Sequence, residues 1–244
     1  MKKSVFILLC MLCSSFIFCT AQQLDMQHNM FRSGDVIKKV LCTLTEESTD
    51  CKETKLWTIH GKDDDMSVLQ KFYQSNDSLR NIYFSERNAL NHFSLENNVL
   101  KLSVKEDNQT YIRYDLREPI LLFPFSYGDR ISGMFHGTGT FCDKLRVRSC
   151  GSYSLCADEL GSLVTIDGDT LHNVICLHAL RYENVSYFPR EQVPSDYGVF
   201  TDDSIRACIS SDTLVLQEDF CRWYAPGYRY PVAERCRYSY SGQV

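Results

Sequence analysis

The sequence is poor in the features that mark several classes of protein. It has no low-complexity stretch, and after Ala21 it contains neither a long apolar run nor a Cys-x2-Cys pair. With 12 Gly and 6 Pro in 244 residues, 44% hydrophobic and 23% charged, its composition is that of a folded globular protein. Disorder, a collagen helix and a multi-span membrane protein are therefore excluded.

The N-terminus has the parts of a secretory signal peptide. Two lysines precede an apolar run from Val5 to Phe18, and Cys-Thr-Ala at 19–21 supplies the small residues that a signal peptidase reads. We expect cleavage after Ala21, which leaves a single β-rich domain over 22–244. The apolar run is shorter than the roughly 20 residues of a membrane span, so the mature chain is expected not to be transmembrane. The predicted location is the periplasm, the cell surface or the medium.

The charge balance of the mature chain argues against nucleic acid as a partner. Removal of residues 1–21 leaves 24 Lys and Arg against 31 Asp and Glu, a net charge of −7. A chain of this charge repels the phosphate backbone rather than attracting it.

Cysteine is abundant after the signal peptide. The nine that remain are Cys42, Cys51, Cys142, Cys150, Cys156, Cys176, Cys208, Cys221 and Cys236. In an exported protein such thiols form disulfides, and an odd number leaves at least one without a partner in the same chain. We predict two local bridges, Cys42 with Cys51 and Cys208 with Cys221, because a turn-like polar stretch separates each pair.

Alternation of apolar and polar residues dominates the chain, and no window of helical length carries an apolar stripe at helical spacing. The pattern predicts short β-strands and few, short helices. The strands cover 36–44, 56–60, 67–73, 80–85, 99–104, 110–116, 120–125, 133–141, 144–150, 161–165 and 171–180, with two or three more after Val199. Turns are predicted at Gly61 to Asp65, Asn97-Asn98 and Asp167-Gly168.

Short strands joined by tight turns predict an all-β fold. The expected architecture is an antiparallel meander that forms a curved sheet, a half-barrel or a sandwich. Both faces of the strand 120–125 are apolar, so we expect a central strand that is covered on both sides, with the N-terminal segment as one cover. Residues 187–197, which include two prolines, are expected to form a loop.

No constellation of residues predicts a specific chemistry. Alternation along 171–180 places His172, Cys176 and His178 on one face. Residues two apart lie ~7 Å from each other and residues four apart ~13 Å, so Cys176 and His178 can share a metal ion but His172 cannot join them. A disulfide cysteine beside exposed histidines is the alternative, and we favour it. We therefore predict no metal site, no catalytic residue and no cofactor.

The aromatic residues Trp223, Tyr224, Tyr228 and Tyr230 admit two interpretations. They can stack on a glycan, or they can belong to two half-buried strands joined at Pro226-Gly227, where these residue types suit the middle of a type II turn. We favour the second interpretation.

Three longer motifs occur in order along the chain, Phe123 to Asp129, Gly168 to Val174 and Trp223 to Pro231. Together with shorter matches they resemble a family of uncharacterised secreted proteins of Bacteroides and related Bacteroidetes, and the resemblance spans about residues 30–232. It implies export in a Gram-negative anaerobe and a β-rich fold. It implies no catalytic residues, because the family has no established activity.

Four tripeptides resemble the O-glycosylation acceptor sites of these bacteria. Each consists of Asp, then Ser or Thr, then an aliphatic residue. Their hydroxyl residues are Ser78, Thr170, Ser204 and Thr213. Such tripeptides also arise where a polar turn enters a strand. We expect at least one of the four to carry a glycan, which would add bulk and solubility to a surface loop.

These patterns predict an exported cell-envelope protein that is a non-enzymatic binding or structural module, with an envelope protein, a glycan or a lipid as its partner. The alternative is a carrier or sensor of an apolar ligand, such as a lipid, held on the concave face of the sheet. That alternative fails if Phe123, Phe125, Phe135 and Phe141 fill the concave face themselves. A hydrolase is a third, less favoured hypothesis.

Overall fold

The protein is an all-β fold, as predicted. The structure, a computed structural model, describes residues 23–48, 54–75, 78–195, 197–210 and 214–241. The strands are β1 (Gln23–Leu24), β2 (Val36–Ser48), β3 (Lys55–Ser75), β4 (Ser78–Glu86), β5 (Ala89–Glu96), β6 (Val99–Glu106), β7 (Thr110–Leu116), β8 (Pro119–Leu122), β9 (Phe125–Ser126), β10 (Arg130–Phe141), β11 (Leu145–Val164), β12 (Thr170–Pro189), β13 (Val215–Tyr224) and β14 (Ala233–Ser241). The helices are α1 (Met26–Asn29) and α2 (Asp202–Cys208), with a 3₁₀ turn at Arg190–Gln192. None of the helices in these ranges has the length and apolar character needed to cross a membrane.

Twelve of the strands form one sheet that closes on itself. Antiparallel neighbours run from β14 through β13, β12, β11, β10, β7, β6, β5, β4 and β3 to β2. At its N-terminal end β3 also pairs in parallel with β11, where Lys55 stands opposite Gly161. The other end of β3 pairs with β4. The strands from β3 to β11 therefore form a closed path, and β12 to β14 extend outward from β11.

A large apolar core lies against this sheet. Its most deeply buried members include Tyr114, Phe125 and Phe135, each at most 2% exposed. The rings of Tyr114 and Phe135 meet edge to face with centroids 6.1 Å apart. Each fully buried side chain of this size contributes roughly 1.5–3 kcal/mol, so the cluster is a main source of stability.

The N-terminal segment covers the core, which confirms that prediction. β1 pairs with β9 so that Leu24 stands opposite Phe125, and Met26 and Phe31 pack on the same cluster. The strand beneath is not central, however. β8 lies off the main path, and its pairing in the described part of the chain is with β6.

Some strands are longer than the sequence indicated. The turn expected at Gly61 to Asp65 lies inside β3, opposite a stretch of β2 where the register shifts. The two strands expected at 144–150 and 161–165 are parts of β11, whose register with β12 also shifts. Bulges absorb such irregular residues without ending a strand. The loop expected at 187–197 begins only after Pro189.

Three predicted turns are confirmed. Asn97 and Asn98 both have positive φ between β5 and β6, as a two-residue type I′ hairpin turn requires. Gly168 has φ +87 between β11 and β12. At Pro226-Gly227 the Tyr228 N–H donates to the Ala225 carbonyl at 3.2 Å and Gly227 has φ +82, which is type II geometry.

One arginine is buried among three carboxylates. The Arg181 guanidinium donates from Nε to Glu118 at 2.6 Å and from Nη1 to Glu183 at 2.5 Å and Glu218 at 2.8 Å. The Arg181 Cζ atom lies 4.1 Å from the centroid of the Phe135 ring. The charge cluster is therefore built directly onto the apolar core.

Two carboxyls of this cluster, those of Glu183 and Glu118, have pKa values shifted in opposite directions. Burial opposes ionisation of Glu183, but the Arg181 charge outweighs it and holds the pKa of Glu183 at about 2. At Glu118 burial outweighs the attraction of Arg181 and raises the pKa. Within one cluster, therefore, Glu183 ionises readily and Glu118 ionises with difficulty.

Helix α2 packs against β10 and β11. Thr201 is its N-cap, and its hydroxyl accepts the Ser204 N–H while the Ser204 hydroxyl accepts the Thr201 N–H. This capping box starts the helix, and Asp202 and Asp203 in the first turn complement the helix dipole. Ile205, 1% exposed, anchors the helix to the sheet.

Candidate metal centre

A row of four polar or sulfur-bearing side chains crosses strands β11 to β14. Cys156 stands opposite His178, His178 opposite Cys221, and Cys221 opposite Arg235. Residues directly opposite each other in an antiparallel pair project from the same face of the sheet. The four side chains therefore lie side by side.

Three of these strands contribute a second group two residues away. β11 adds Asp158, β12 adds Cys176 and β13 adds Asp219. A spacing of two keeps both members of a pair on one face of a regular strand. In β11 the register shifts after Cys156, and there the hydrogen bond between Cys156 and Asp158 shows that the two side chains lie together. The row thus becomes a patch of three thiols, one imidazole, two carboxylates and one guanidinium.

The contacts within the patch centre on His178. Its Nε2 lies 3.0 Å from Asp219 Oδ1, and the Cys156 thiol donates to Asp158 Oδ2 at 3.1 Å. Two groups of three have their ligand atoms within 4.8 Å of one another, Cys156 with Asp158 and His178, and His178 with Asp219 and Cys221. The imidazole belongs to both groups.

The patch has an apolar side and a wet side. Cys176 and Cys221 belong to a buried cluster with Trp57 and Trp223, whose rings meet edge to face at 5.9 Å. The side chains of His178 and Asp219 are 36% and 23% exposed. An ion can therefore arrive from solvent at the imidazole and carboxylate and reach the Cys221 sulfur behind them.

Neighbouring groups activate Cys221. A hydrogen bond from Cys176 and the charge of Arg235 lower the pKa of Cys221 to about 7, against the effect of burial. Arg235 Nη2 lies 3.0 Å from the sulfur. The same thiol contact, together with burial, raises the pKa of Cys176. The hydrogen bond between the two thiols therefore lowers the pKa of Cys221 and raises that of Cys176.

Replacement of Cys221 by serine is expected to remove one ionisation near pH 7, because the other described thiols with shifted pKa values titrate well above that range. The measurement is the ultraviolet absorbance of thiolate as a function of pH in reduced protein. Cys142→Ser is the matched control, since Cys142 is exposed and distant in sequence from the patch. Equal titration curves for wild type and Cys221→Ser near neutral pH would contradict this assignment.

The structure brings together only some of the residues that the sequence placed on one face of the strand 171–180. Cys176 and His178 do share a face, but Cys176 contacts Cys221 and belongs to neither three-ligand group. His172 lies apart, with Nδ1 3.1 Å from Ser162 Oγ. The ligands that were missed come from strands β11 and β13.

Of the two predicted disulfides, the one between Cys208 and Cys221 does not join neighbouring residues. Cys221 lies against Cys176, and Cys208 lies against Cys150. The stretch between Cys208 and Cys221 does not return one residue to the other, because Cys208 ends a helix that packs on β11 whereas Cys221 lies within β13. Cys42 is an exposed thiol in β2, and its predicted partner Cys51 lies outside the described residues.

The hydroxyls of the glycosylation tripeptides have different surroundings. Thr170 is exposed at the start of β12, which suits an acceptor. The Ser204 hydroxyl is engaged in the capping box and also donates to the Thr201 carbonyl at 2.8 Å. Ser78 begins β4, and Thr213 lies outside the described residues. Glycosylation of these sites stays a prediction, with Thr170 as the best placed.

The aromatic residues suggested for a glycan platform or a lipid cavity are largely used within the fold. Trp223 and Tyr224 are buried, and Tyr230 stacks on Phe72 with centroids 4.8 Å apart. Phe123, Phe125 and Phe135 lie in the large core, and Phe141 packs edge to face on Tyr187. Of the four residues of the glycan hypothesis, Tyr228 is the exposed one.

Comparison with known proteins adds no relative from which a function could be carried over. No protein-family model matches the chain. Searches of curated proteins and of solved structures give no significant match. The resemblance to secreted proteins of Bacteroides therefore stays a prediction, and the geometry of the patch is the basis for any functional conclusion.

Proposed function

We propose that the protein is an exported, non-enzymatic binding module of the cell envelope that holds a thiophilic divalent cation, with Zn²⁺ as the best fit, at His178, Asp219 and Cys221. The observation that carries the proposal is that an imidazole, a carboxylate and a thiol place one ligand atom each within 4.8 Å of the other two. The N-terminal signal pattern supports the export part of the proposal.

The chemistry of the three ligands favours zinc over other common cations. Zn²⁺ takes nitrogen, sulfur and oxygen ligands in tetrahedral sites. Ca²⁺ and Mg²⁺ prefer oxygen alone, so a site with two non-oxygen ligands suits them poorly. The proposed ion is therefore a borderline or soft one.

The ionisation of the thiols favours the Cys221 group over the Cys156 group. A metal needs thiolate, and binding must displace any proton that the sulfur carries. The pKa of Cys221 is about 7, whereas burial and the contact with Asp158 raise that of Cys156 to about 12. Arg235 would remain a hydrogen-bond donor to the metal-bound sulfur, a role that outer partners of metal ligands commonly have.

A zinc hydrolase is the second candidate, and the number of ligands favours it. Structural zinc sites use four protein ligands, whereas catalytic sites use three and keep one position for water. The group at His178 supplies three. Activity on a panel of glycan, ester and peptide substrates that disappears in His178→Ala would replace the binding module by this enzyme.

Titration with Co²⁺, a spectroscopic substitute for Zn²⁺, tests the proposal. Reduced protein is expected to develop a thiolate-to-cobalt charge-transfer band that reverses on addition of Zn²⁺. His178→Ala and Cys221→Ser should each weaken binding by more than the ~10–100-fold that outer partners of metal ligands contribute. His172→Ala is the matched control, because it removes an exposed histidine from the same strand and should bind as wild type does.

Two results would contradict the metal site. One is the absence of a charge-transfer band in wild type at millimolar cobalt. The other is an equal band in wild type and Cys221→Ser, which would mean that the sulfur ligand lies elsewhere.

A further inference from the structure

A second pair of thiols lies in a cleft between α2 and the sheet. The cleft has a volume of about 340 Å³, and its walls include His136 and Cys150 from the strands and Ile205 and Cys208 from the helix. His136 stands opposite Cys150 across β10 and β11. The two sulfurs thus face one space from two different elements.

The two thiols of this pair are hydrogen-bonding partners. The Cys150 thiol is hydrogen-bonded to Cys208, and burial together with that contact raises the pKa of Cys150. Cys150 is 1% exposed within β11, whereas Cys208, the last residue of α2, is partly exposed. The pair therefore has one thiol that solvent reaches, Cys208, and one that is buried, Cys150.

We propose that Cys150 and Cys208 form a disulfide on exposure to a disulfide oxidant, and that this bond ties α2 to β11 over the cleft. The contact between the sulfurs, their common position in the cleft wall and the anchoring of α2 by buried Ile205 bring the partners together. The two sulfurs are hydrogen-bonded and not at disulfide distance, so formation of the bond requires a small movement that brings them into disulfide geometry. The pair is separate from the proposed zinc ligands.

The reaction is two steps of thiol–disulfide exchange. The sulfur of Cys208, after loss of its proton, attacks one sulfur of the oxidant disulfide and releases one oxidant thiolate, which leaves a mixed disulfide on Cys208. The sulfur of Cys150, after loss of its proton, then attacks the Cys208 sulfur and releases the second oxidant thiolate. The two protons lost by the protein are taken up by the two released thiolates, and the oxidant is reduced to two thiols.

The bond would fix the wall of the cleft that faces His136. The His136 ring is 2% exposed and stacks on Phe200 with centroids 4.7 Å apart. In the described part of the chain neither of its ring nitrogens has a hydrogen-bond partner. The ring is already buried while the two thiols are unbridged, so the bond would restrict local opening of the helix end beside the ring rather than bury the ring.

Incubation of the full chain in a mixture of oxidised and reduced glutathione, followed by peptide mass mapping, tests the proposal. The expected result is a peptide pair joined through Cys150 and Cys208, lost in Cys150→Ser and in Cys208→Ser. Cys221→Ser is the control that separates this inference from the zinc site, and it should still form the bond. Hydrogen exchange of the Ile205 to Ile209 amides should slow by about tenfold in oxidised wild type, because the helix end can no longer open locally.

Two outcomes would overturn the proposal. In one, Cys208 is found joined to Cys221 or to glutathione at equilibrium rather than to Cys150. In the other, the bond forms but the amide exchange of α2 does not change, which would mean that the bond does not hold the helix.

Discussion

Arg181→Met is expected to lower the free energy of unfolding by about 3–5 kcal/mol at neutral pH, the usual loss when one partner of a buried ion pair is removed. The substitution leaves Glu118, Glu183 and Glu218 buried without their cation. Methionine fills most of the volume and can still pack on Phe135, so the loss reports on charge rather than on a cavity. Urea denaturation monitored by tryptophan fluorescence measures it.

The pH dependence of this loss provides a stricter test. Glu183 has a pKa of about 2 in the folded protein and an ordinary value of 4.5, so its stabilising contribution is present above pH 4.5 and is lost as the pH falls towards 2. In Arg181→Met the carboxyls are easier to protonate than in wild type. The difference in stability between the two proteins should therefore shrink steadily below pH 4.5.

Glu118→Gln is the matched control for this experiment. Burial raises the pKa of Glu118, so its charge is costly in the folded state, and glutamine keeps an oxygen that can accept from Arg181 Nε. Its stability at neutral pH should stay within about 1 kcal/mol of wild type or exceed it. A loss in Arg181→Met that is small, or that does not change with pH, would show that the cluster does not hold its charges as described.

Gly161→Ala is expected to destabilise the protein by about 3 kcal/mol, at the upper end of the usual cost of overpacking. A Cβ at this position would lie 2.1 Å from the Lys55 carbonyl oxygen and 2.8 Å from the Trp57 ring. The carbonyl belongs to the parallel pairing that closes the sheet. It cannot move away without weakening the join between β3 and β11.

The effect of Gly161→Ala should extend to the metal centre. Trp57 packs on Trp223 in the cluster that also contains Cys221, so displacement of its ring should weaken cobalt binding as well as stability. Gly198→Ala is the control, because a Cβ there meets no atom within 4 Å. Its stability should change by less than about 0.5 kcal/mol. Equal thermal denaturation midpoints for the two variants would contradict the close approach of β3 and β11.

Local alternation was sufficient to predict much of the fold. The strand at 110–116 coincides with β7, and the Asn97-Asn98 turn lies where its residue types indicate. Alternation failed where bulges carry a strand through residues that normally form turns, as at Gly61 to Asp65 in β3. The closure of the sheet by β3 and β11 depends on pairing between distant strands, which no local pattern encodes.

Part of the candidate site could be predicted from spacing within single strands, but the way its strands come together could not. Cys156 with Asp158, Cys176 with His178, and Asp219 with Cys221 are each separated by one residue, a spacing that places both members on one face of a regular strand. What makes them a site is the register that sets Cys156 and Cys221 on either side of His178. The same long-range register explains the wrong disulfide, because proximity along the chain between Cys208 and Cys221 does not become proximity in space.

The most direct test of the proposed zinc site is an anomalous difference map at the zinc absorption edge from crystals of reduced protein grown with Zn²⁺. One strong peak is expected between the ring of His178, the carboxylate of Asp219 and the sulfur of Cys221, at distances of about 2.0–2.3 Å from the three ligand atoms. A map without a peak at His178, or with its peak between Cys156 and Asp158, would contradict it.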